Sequence, residues 1–127
     1  MTFLRTALAF VLLNLPLHAQ PGPTASDAWA QADGGGLAVY AIVNNPSMYD
    51  LYIVSAKSDA AAKIELINGE KVVTSIAVPA YGSAELKAGA MFVRLSELKG
   101  QLKAGDDVKV TLETDGGVSI EITAAVK

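Results

Sequence analysis

The residue types that most often carry out chemistry are nearly absent from this chain. It contains no cysteine and a single histidine, His18, whereas thiolate and imidazole are the usual protein ligands for zinc, copper(II) and haem iron. Histidine is also the commonest general base at neutral pH. Serines are plentiful, but none has a histidine or a lysine motif to activate its hydroxyl. The sequence therefore predicts a protein that is not an enzyme and holds no cofactor.

The acidic and glycine-rich segments do not predict a ligand site either. Asp106 and Asp107 follow Gly105, a pattern typical of a turn in which the carboxylate bonds its own backbone. Residues 34–36 are three glycines, but they precede a strand, so no helix amino terminus follows them to bind phosphate. The other acids are scattered singly, without the oxygen-rich loop that calcium requires. Neither a nucleotide nor calcium is expected.

Residues 1–19 predict an export signal. Arg5 supplies a positive amino-terminal region, residues 7–17 form an apolar segment shorter than the roughly 20 residues that span a bilayer, and Ala19 is small. The alternative is a retained membrane anchor, which Asn14 and Pro16 disfavour because they interrupt the segment. No cysteine lies near the cut, so lipid attachment there is excluded. We expect a periplasmic or secreted protein that is not inserted in the membrane after cleavage.

The charge distribution argues against nucleic acid as a partner. Cleavage would remove the one positive charge of Arg5 and no acidic residue, which takes the formal net charge from −3 to −4. Basic and acidic residues are mixed along the chain. Because binding to nucleic acid or anionic membranes needs clustered Lys and Arg to displace counterions, neither partner is expected.

The remainder of the chain has the patterning of an all-β domain. Residues 20–26 predict a flexible leader and residues 27–127 one domain. Apolar residues recur at every second position in each segment, and turn signals at residues 68–69 and 115–117 separate segments; the first of these is typical of a tight type I′ hairpin. About seven to nine short strands at this spacing indicate a two-sheet Greek-key β-sandwich. A loop is expected to cross one end of it over residues 95–103.

Several segments, taken in order, resemble the periplasmic copper chaperones called PCu(A)C. The resemblance runs from about Asp27 to Val126 and is carried by the order and nearly shared spacing of its pieces. They are residues 27–30, the strand ending at residues 44–45, and residues 63–66, 78–87, 102–106 and 110–112. The resemblance implies a cupredoxin-like β-sandwich.

The copper ligands that the resemblance implies do not carry over to this chain. In the family, a histidine follows the segment matching residues 64–66, a methionine lies on the next hairpin, and a His-x-Met pair lies on a later strand. Here Ile67 stands at the first histidine position and Phe92 and Arg94 stand at the pair, while residues 68–77 contain no methionine. A guanidinium has no lone pair to donate and repels a copper ion. We therefore expect no metal ligands and no copper at this place.

The replaced positions form a candidate interaction face. Phe92 and Arg94 alternate with Met91 and Val93, so they share the strand face opposite the core. We expect Ile67, Phe92 and Arg94 to be exposed and to contact an unidentified protein partner in the exported compartment, because aromatic and Arg side chains are enriched at interfaces. The alternative is that Ile67 and Phe92 only cover the end of a sheet.

A second function remains open, namely copper(I) binding or delivery at a site that the family does not use. Its ligands would be Met48, Met91 or carboxylates in a different arrangement. Met91 alternates with core residues and suits core filling. Met48 lies in the turn at residues 44–50, where Tyr49 and Tyr52 could line a small surface with it.

The first prediction concerns processing. Because the apolar segment ends near Leu17 and a small residue precedes Gln20, the mature protein is expected to begin near Gln20 in a soluble exported fraction. Mass spectrometry of the protein isolated from its native compartment checks this. An intact Met1 or a membrane-embedded product would contradict it.

Overall fold

The computed structural model describes residues 22–127, which fold into ten β-strands. They are β1 (Thr24–Asp33), β2 (Gly36–Asn45), β3 (Leu51–Lys57), β4 (Ala61–Asn68), β5 (Lys71–Val73), β6 (Ile76–Val78), β7 (Gly82–Leu86), β8 (Met91–Leu98), β9 (Asp107–Thr114) and β10 (Ser119–Val126). All regular structure within residues 22–127 is strand, so the predicted all-β fold is confirmed. The export signal predicted for residues 1–19 lies outside the described residues. A helix that could cross a membrane is not found within residues 22–127.

The strands form one continuous sheet that curves back on itself. Their order is β5-β4-β8-β7-β2-β1-β10-β9-β3-β6, which makes β5 and β6 the two edges. Only residues 74 and 75 connect these two strands. Three extended backbone steps reach on the order of 10 Å, so the two edges must come close together. The sheet is therefore nearly closed around its core.

The inner face of the sheet buries the main hydrophobic core, and its residues follow the predicted period of two. In β2, the four residues expected to share a face are all buried there: Leu37, Val39, Ala41 and Val43. Strand β10 alternates in the same way, with every second residue from Ile120 to Val126 buried. This alternation fixes the register of both strands, since a slip of one residue would turn the apolar set towards solvent.

The alternation groups Val72 with Ile76 and Val78, and Val118 with Ile120 and Ile122, but both valines are exposed. Val72 and Val118 have exposed fractions of 60% and 44%. The break between β5 and β6 interrupts the alternation, and Val73 packs against the core in place of Val72. Val118 lies in the turn before β10 and not within a strand.

The first strand begins earlier than the sequence predicts. Residues 24–26, assigned to a flexible leader, belong to β1 and pair with β2. The pairing is irregular between Ser26 and Trp29, where Asp27 has a φ of 53°. Such an irregularity inserts an unpaired residue and breaks the period of two. The correct start is therefore Thr24, which the alternation could not locate.

Both predicted turns are present, with differences in detail. Residues 69–70 join β4 to β5, and only Gly69 has positive φ, 70°. This is the pattern of a type II′ turn, whereas the predicted type I′ needs positive φ at both central residues. The second turn joins β9 to β10 and has Gly117 at a φ of 80°. Strand β8 continues to Leu98, so the loop expected over residues 95–103 starts at residue 99.

The second prediction concerns Gly36, where β2 begins beside β8. A Cβ atom at this position would overlap the backbone carbonyl oxygen of Leu95. Gly36→Ala is therefore expected to lower the free energy of unfolding by about 1–3 kcal/mol, the usual cost of overpacking. Gly116→Ala is the matched control, because its Cβ would meet nothing within 4 Å. Urea denaturation measures both variants, and equal stability of the two would contradict the close approach.

Candidate functional site

Ile67, Phe92 and Arg94 lie side by side on the sheet face opposite the main core. Ile67 is the direct cross-strand partner of Phe92, and Arg94 lies opposite Glu65 on one side and Ala38 on the other. Direct cross-strand partners have Cβ atoms about 4.5–5.5 Å apart. The fold therefore brings together the three residues that the sequence singled out.

The expectation that these residues form an exposed face is wrong for two of the three. Ile67 is 0% exposed and Phe92 is 6% exposed. They pack with Ala38, Tyr40 and the partly buried Trp29 in a second cluster, here called the outer cluster. Neither side chain can touch a partner without rearrangement, so their burial favours the alternative in which they cover part of the sheet. The Arg94 side chain, 35% exposed, remains accessible.

Three aromatic rings form a continuous row in the outer cluster. The ring centroids of Trp29 and Tyr40 are 4.7 Å apart, and those of Tyr40 and Phe92 are 5.9 Å apart in an edge-to-face arrangement. Aromatic pairs at such separations contribute about 0.5–1.5 kcal/mol beyond the area they bury. Since the rings come from β1, β2 and β8, the row ties three strands together on their outer face.

A cation lies at each end of this row. The Arg94 Cζ atom is 5.5 Å from the Phe92 ring centroid, and the Lys127 Nζ atom is 5.2 Å from the Trp29 ring centroid. The Arg94 Nε atom also lies 3.4 Å from Asp33 Oδ2. Cations over ring faces are attracted by the ring quadrupole. The Arg94 guanidinium is thus held by an aromatic face and by a carboxylate.

Tyr40 at the centre of the row stays uncharged. Its pKa is raised above the ordinary value of 10.0, first by burial and then by the negative charge of Asp33. Both effects oppose formation of a phenolate. Tyr40 therefore offers neither a general base nor an anionic ligand at neutral pH.

The donor chemistry of the outer cluster does not fit a copper ion. Its side chains present indole, phenol, phenyl and alkyl groups, with a guanidinium beside them. None of these is the imidazole, thiolate or thioether that copper(I) prefers. Within residues 22–127, no group of three or more His, Cys, Asp or Glu side chains is placed to hold a metal.

Met48 and Met91, the alternative copper ligands, lie apart in the fold. Asn45 at the end of β2 pairs with Gly82 at the start of β7, whereas Met91 pairs with Leu86 at the end of β7. Gly82 and Leu86 are four residues apart along β7, which separates the positions of Asn45 and Met91 by about 13 Å at 3.3 Å per residue. Met48 follows Asn45 in the β2–β3 loop and is 61% exposed, whereas Met91 packs against the main core. The two thioethers do not form one site.

Sequence reasoning missed four contributors to the outer face, namely Trp29, Asp33, Tyr40 and Lys127. A signal for Tyr40 was present, because residues 36–43 are almost all apolar, which is typical of a strand buried on both faces. Asp33 and Lys127 gave no local signal. Lys127 reaches Trp29 because β10 runs parallel to β1, with the Lys127 N–H donating to the Ala30 carbonyl at 2.9 Å.

Comparison with known sequences identifies a family for nearly the whole domain. The family model described as "Putative lipoprotein LpqE-like" matches residues 24–126. A relative described as "Putative lipoprotein Lxx21020", from Leifsonia xyli subsp. xyli, is 30% identical in an alignment of 145 positions that covers 96% of this chain and 87% of that protein. The matched region begins at Thr24, the residue at which β1 begins.

Solved structures with the same fold include a copper-bound PCuAC domain. The copper-bound PCuAC domain from PmoF2 superposes with a TM-score of 0.75 at 18% identity, over 87% of this chain and 96% of that domain; this likeness shows the fold alone. Copper(I)-bound DR1885 from Deinococcus radiodurans has a TM-score of 0.66 at 26% identity, over 92% of this chain and 85% of that one. The all-β fold expected from the resemblance is thus confirmed, and the chain belongs to the LpqE-like family and shares the fold of the PCuAC domains, here one nearly closed sheet.

Proposed function

We propose that this protein is an exported, non-enzymatic accessory protein that acts by binding another protein, and that it holds no copper where PCuAC chaperones hold theirs. The observation that carries the proposal is the position of Arg94. Its guanidinium lies 5.5 Å from the Phe92 ring centroid and 3.4 Å from Asp33, at a place where the resemblance implies a ligand. A permanent cation replaces an electron-pair donor there.

Electrostatics and burial both disfavour a copper ion beside Arg94. Two like unit charges 5 Å apart repel by about 3 kcal/mol at an effective dielectric constant of 20, before the partial offset from Asp33. That energy corresponds to roughly two orders of magnitude in affinity. Ile67 and Phe92 fill the adjacent space with buried hydrocarbon. Copper(I) would have to displace this packing without gaining a soft donor atom.

Export is supported by two independent observations. Residues 1–19 have the features of a signal peptide, and a relative that is 30% identical is described as a lipoprotein. This chain has no cysteine, so it has no thiol that could carry a thioether- or thioester-linked lipid. We infer a periplasmic or secreted protein.

The competing function is copper(I) binding or delivery through Met48 or Met91. Met48 is the more accessible thioether, at 61% exposed. A single thioether supplies one soft ligand, and the described residues place no imidazole or thiolate beside it. Copper bound there would be held weakly and in exchange with solvent.

The third prediction concerns copper affinity. The wild-type protein is expected to bind no copper(I) more tightly than roughly micromolar, because the positions that should supply ligands carry Ile67, Phe92 and Arg94. Competition with a chromogenic copper(I) chelator, under anaerobic conditions, measures this. Tight stoichiometric binding would overturn the proposed function, and Met48→Leu and Met91→Leu would then identify the thioether responsible.

The fourth prediction tests whether the fold retains the spacing needed for a metal site. Ile67→His, Phe92→His and Arg94→Met together place two imidazoles on directly paired residues and a thioether two residues away. Because two buried apolar side chains become polar, we expect the metal-free triple variant to lose about 2–5 kcal/mol of unfolding free energy. Copper(I) is expected to raise its Tm, since a ligand that binds only the native state stabilises it.

The wild-type protein and the single variant Arg94→Met are the controls for this experiment. Neither gains a pair of imidazoles, so copper(I) should leave their Tm unchanged. A folded triple variant that ignores copper would mean that the β4–β8 pair does not hold the two imidazoles at a metal-binding distance. In that case the likeness to the copper chaperones extends to the sandwich alone.

A further inference from the structure

Four large side chains are exposed together at one end of the sandwich. They are Met48, Tyr49, Tyr52 and Tyr81, with exposed fractions of 61%, 72%, 39% and 73%. Three neighbouring segments present them, namely the β2–β3 loop, the start of β3 and the turn before β7. This surface is here called the tyrosine end. It lies away from the outer cluster and has no part in the positions that resemble the copper site.

The loops of the tyrosine end are fixed by hydrogen bonds. Asn45 is 2% exposed, and its Nδ2 donates to the carbonyl oxygens of Tyr49 at 2.8 Å and Val78 at 3.1 Å. Its Oδ1 accepts from the backbone N–H and the hydroxyl of Ser47, at 3.1 and 2.8 Å. The Tyr81 N–H in turn donates to the Ser47 carbonyl at 3.0 Å. A buried amide therefore holds both loops in one conformation before any partner arrives, which lowers the entropy cost of binding.

Tyr81 has a backbone conformation that does not suit its side chain. Its φ is 55°, in the left-handed region that is unfavourable for bulky residues. The ring is 73% exposed, so burial does not compensate for this strain. Unfavourable backbone conformations persist only where the surrounding structure enforces them, here through the hydrogen bond from Tyr81 to Ser47, and they cluster at functional sites. The exposed ring of Tyr81 is thus kept at a cost to stability.

The charges at the tyrosine end have one sign. Asp50 accepts from the Ala80 N–H at 2.9 Å, and Asp115 accepts from the Tyr52 N–H at 3.2 Å, so both carboxylates are anchored beside the rings. The segments that form this end, residues 44–54, 76–83 and 114–119, contain no Lys, Arg or His. The adjacent Glu113 is paired with Lys57 at 3.2 Å and does not add to this charge. The surface therefore combines aromatic faces with uncompensated negative charge.

We propose that the tyrosine end binds a basic segment of a partner protein. Lys or Arg side chains of that segment would lie over the tyrosine rings and pair with Asp50 and Asp115, and their aliphatic stems would pack against Met48. Binding proteins also commonly use loops rich in Tyr, Ser and Asn for adaptable contacts. The inference rests on the proposed function and names the surface and the class of partner that it would use.

The fifth prediction uses NMR titration of the metal-free, 15N-labelled protein of residues 20–127. The probe is a twelve-residue peptide with four arginines separated by glycine and serine, and the control peptide has glutamate in place of arginine. Shifts are expected for the arginine peptide alone, confined to residues 46–52, 79–82 and 114–118, and weaker at high salt because exposed charges are screened. The acidic peptide should cause none.

Matched variants separate binding from folding. Asp50→Asn with Asp115→Asn removes both charges but keeps an oxygen to accept each hydrogen bond, and it should weaken peptide binding at least tenfold. Tyr81→Gly should also weaken binding at least tenfold while raising the Tm, because glycine tolerates positive φ. Val72→Ser changes an exposed side chain on β5 and should leave binding unchanged.

Several outcomes would overturn this inference. They are equal binding of both peptides, no shift at millimolar peptide, a lower Tm for Tyr81→Gly, or shifts that depend on protein concentration alone, which would assign the surface to a second copy of the chain. The copper titration is independent of these results. If the protein binds neither the arginine peptide nor copper(I), only the proposal of a basic partner is refuted. Tight copper(I) binding refutes the proposed function, whether or not the peptide binds.

Discussion

Strand β2 is buried on both of its faces, and this double burial constrains the rest of the sandwich. Its inner residues, such as Val39 and Val43, belong to the main core, while Ala38 and Tyr40 belong to the outer cluster. Since the side chains of a strand alternate, one register must satisfy both clusters at once. Strand β2 also approaches β8 so closely that only glycine fits at position 36, where β2 begins. The positions of the outer cluster therefore follow from the packing of the core.

The outer cluster is held together by packed apolar side chains. A metal site needs donor atoms that stay polar and reachable, whereas Ile67 and Phe92 are packed in hydrocarbon, and burying an apolar side chain of their size contributes about 1.5–3 kcal/mol each. Arg94 closes the cluster at one end with its charge balanced by Asp33. In this arrangement the sheet face contributes to stability at all times, independent of any ligand. On the proposed function, this sheet face holds hydrocarbon at the positions where the resemblance implies copper ligands.

Alternation in the sequence predicted which residues share a face but not whether that face is covered. It placed Phe92 and Arg94 together correctly, and the strand segments and both turns were found. It failed for the exposure of Phe92 because the covering ring, Tyr40, comes from a strand more than fifty residues away in the chain. It also failed at Thr24, where the irregularity near Asp27 breaks the period. Non-local packing and single-residue φ values are the information that a periodic pattern does not contain.

The outer cluster and the tyrosine end differ in the role of their aromatic side chains. In the outer cluster, Tyr40 is buried between two rings and its neutral form is favoured, so it contributes to stability. At the tyrosine end, Tyr81 is exposed and its backbone is strained, so it reduces stability. A strained, exposed ring persists only where the surrounding structure can hold it, and the buried amide of Asn45 supplies that support through the loop it fixes. Interactions buried in the interior therefore stabilise the unfavourable backbone conformation of Tyr81 at the surface.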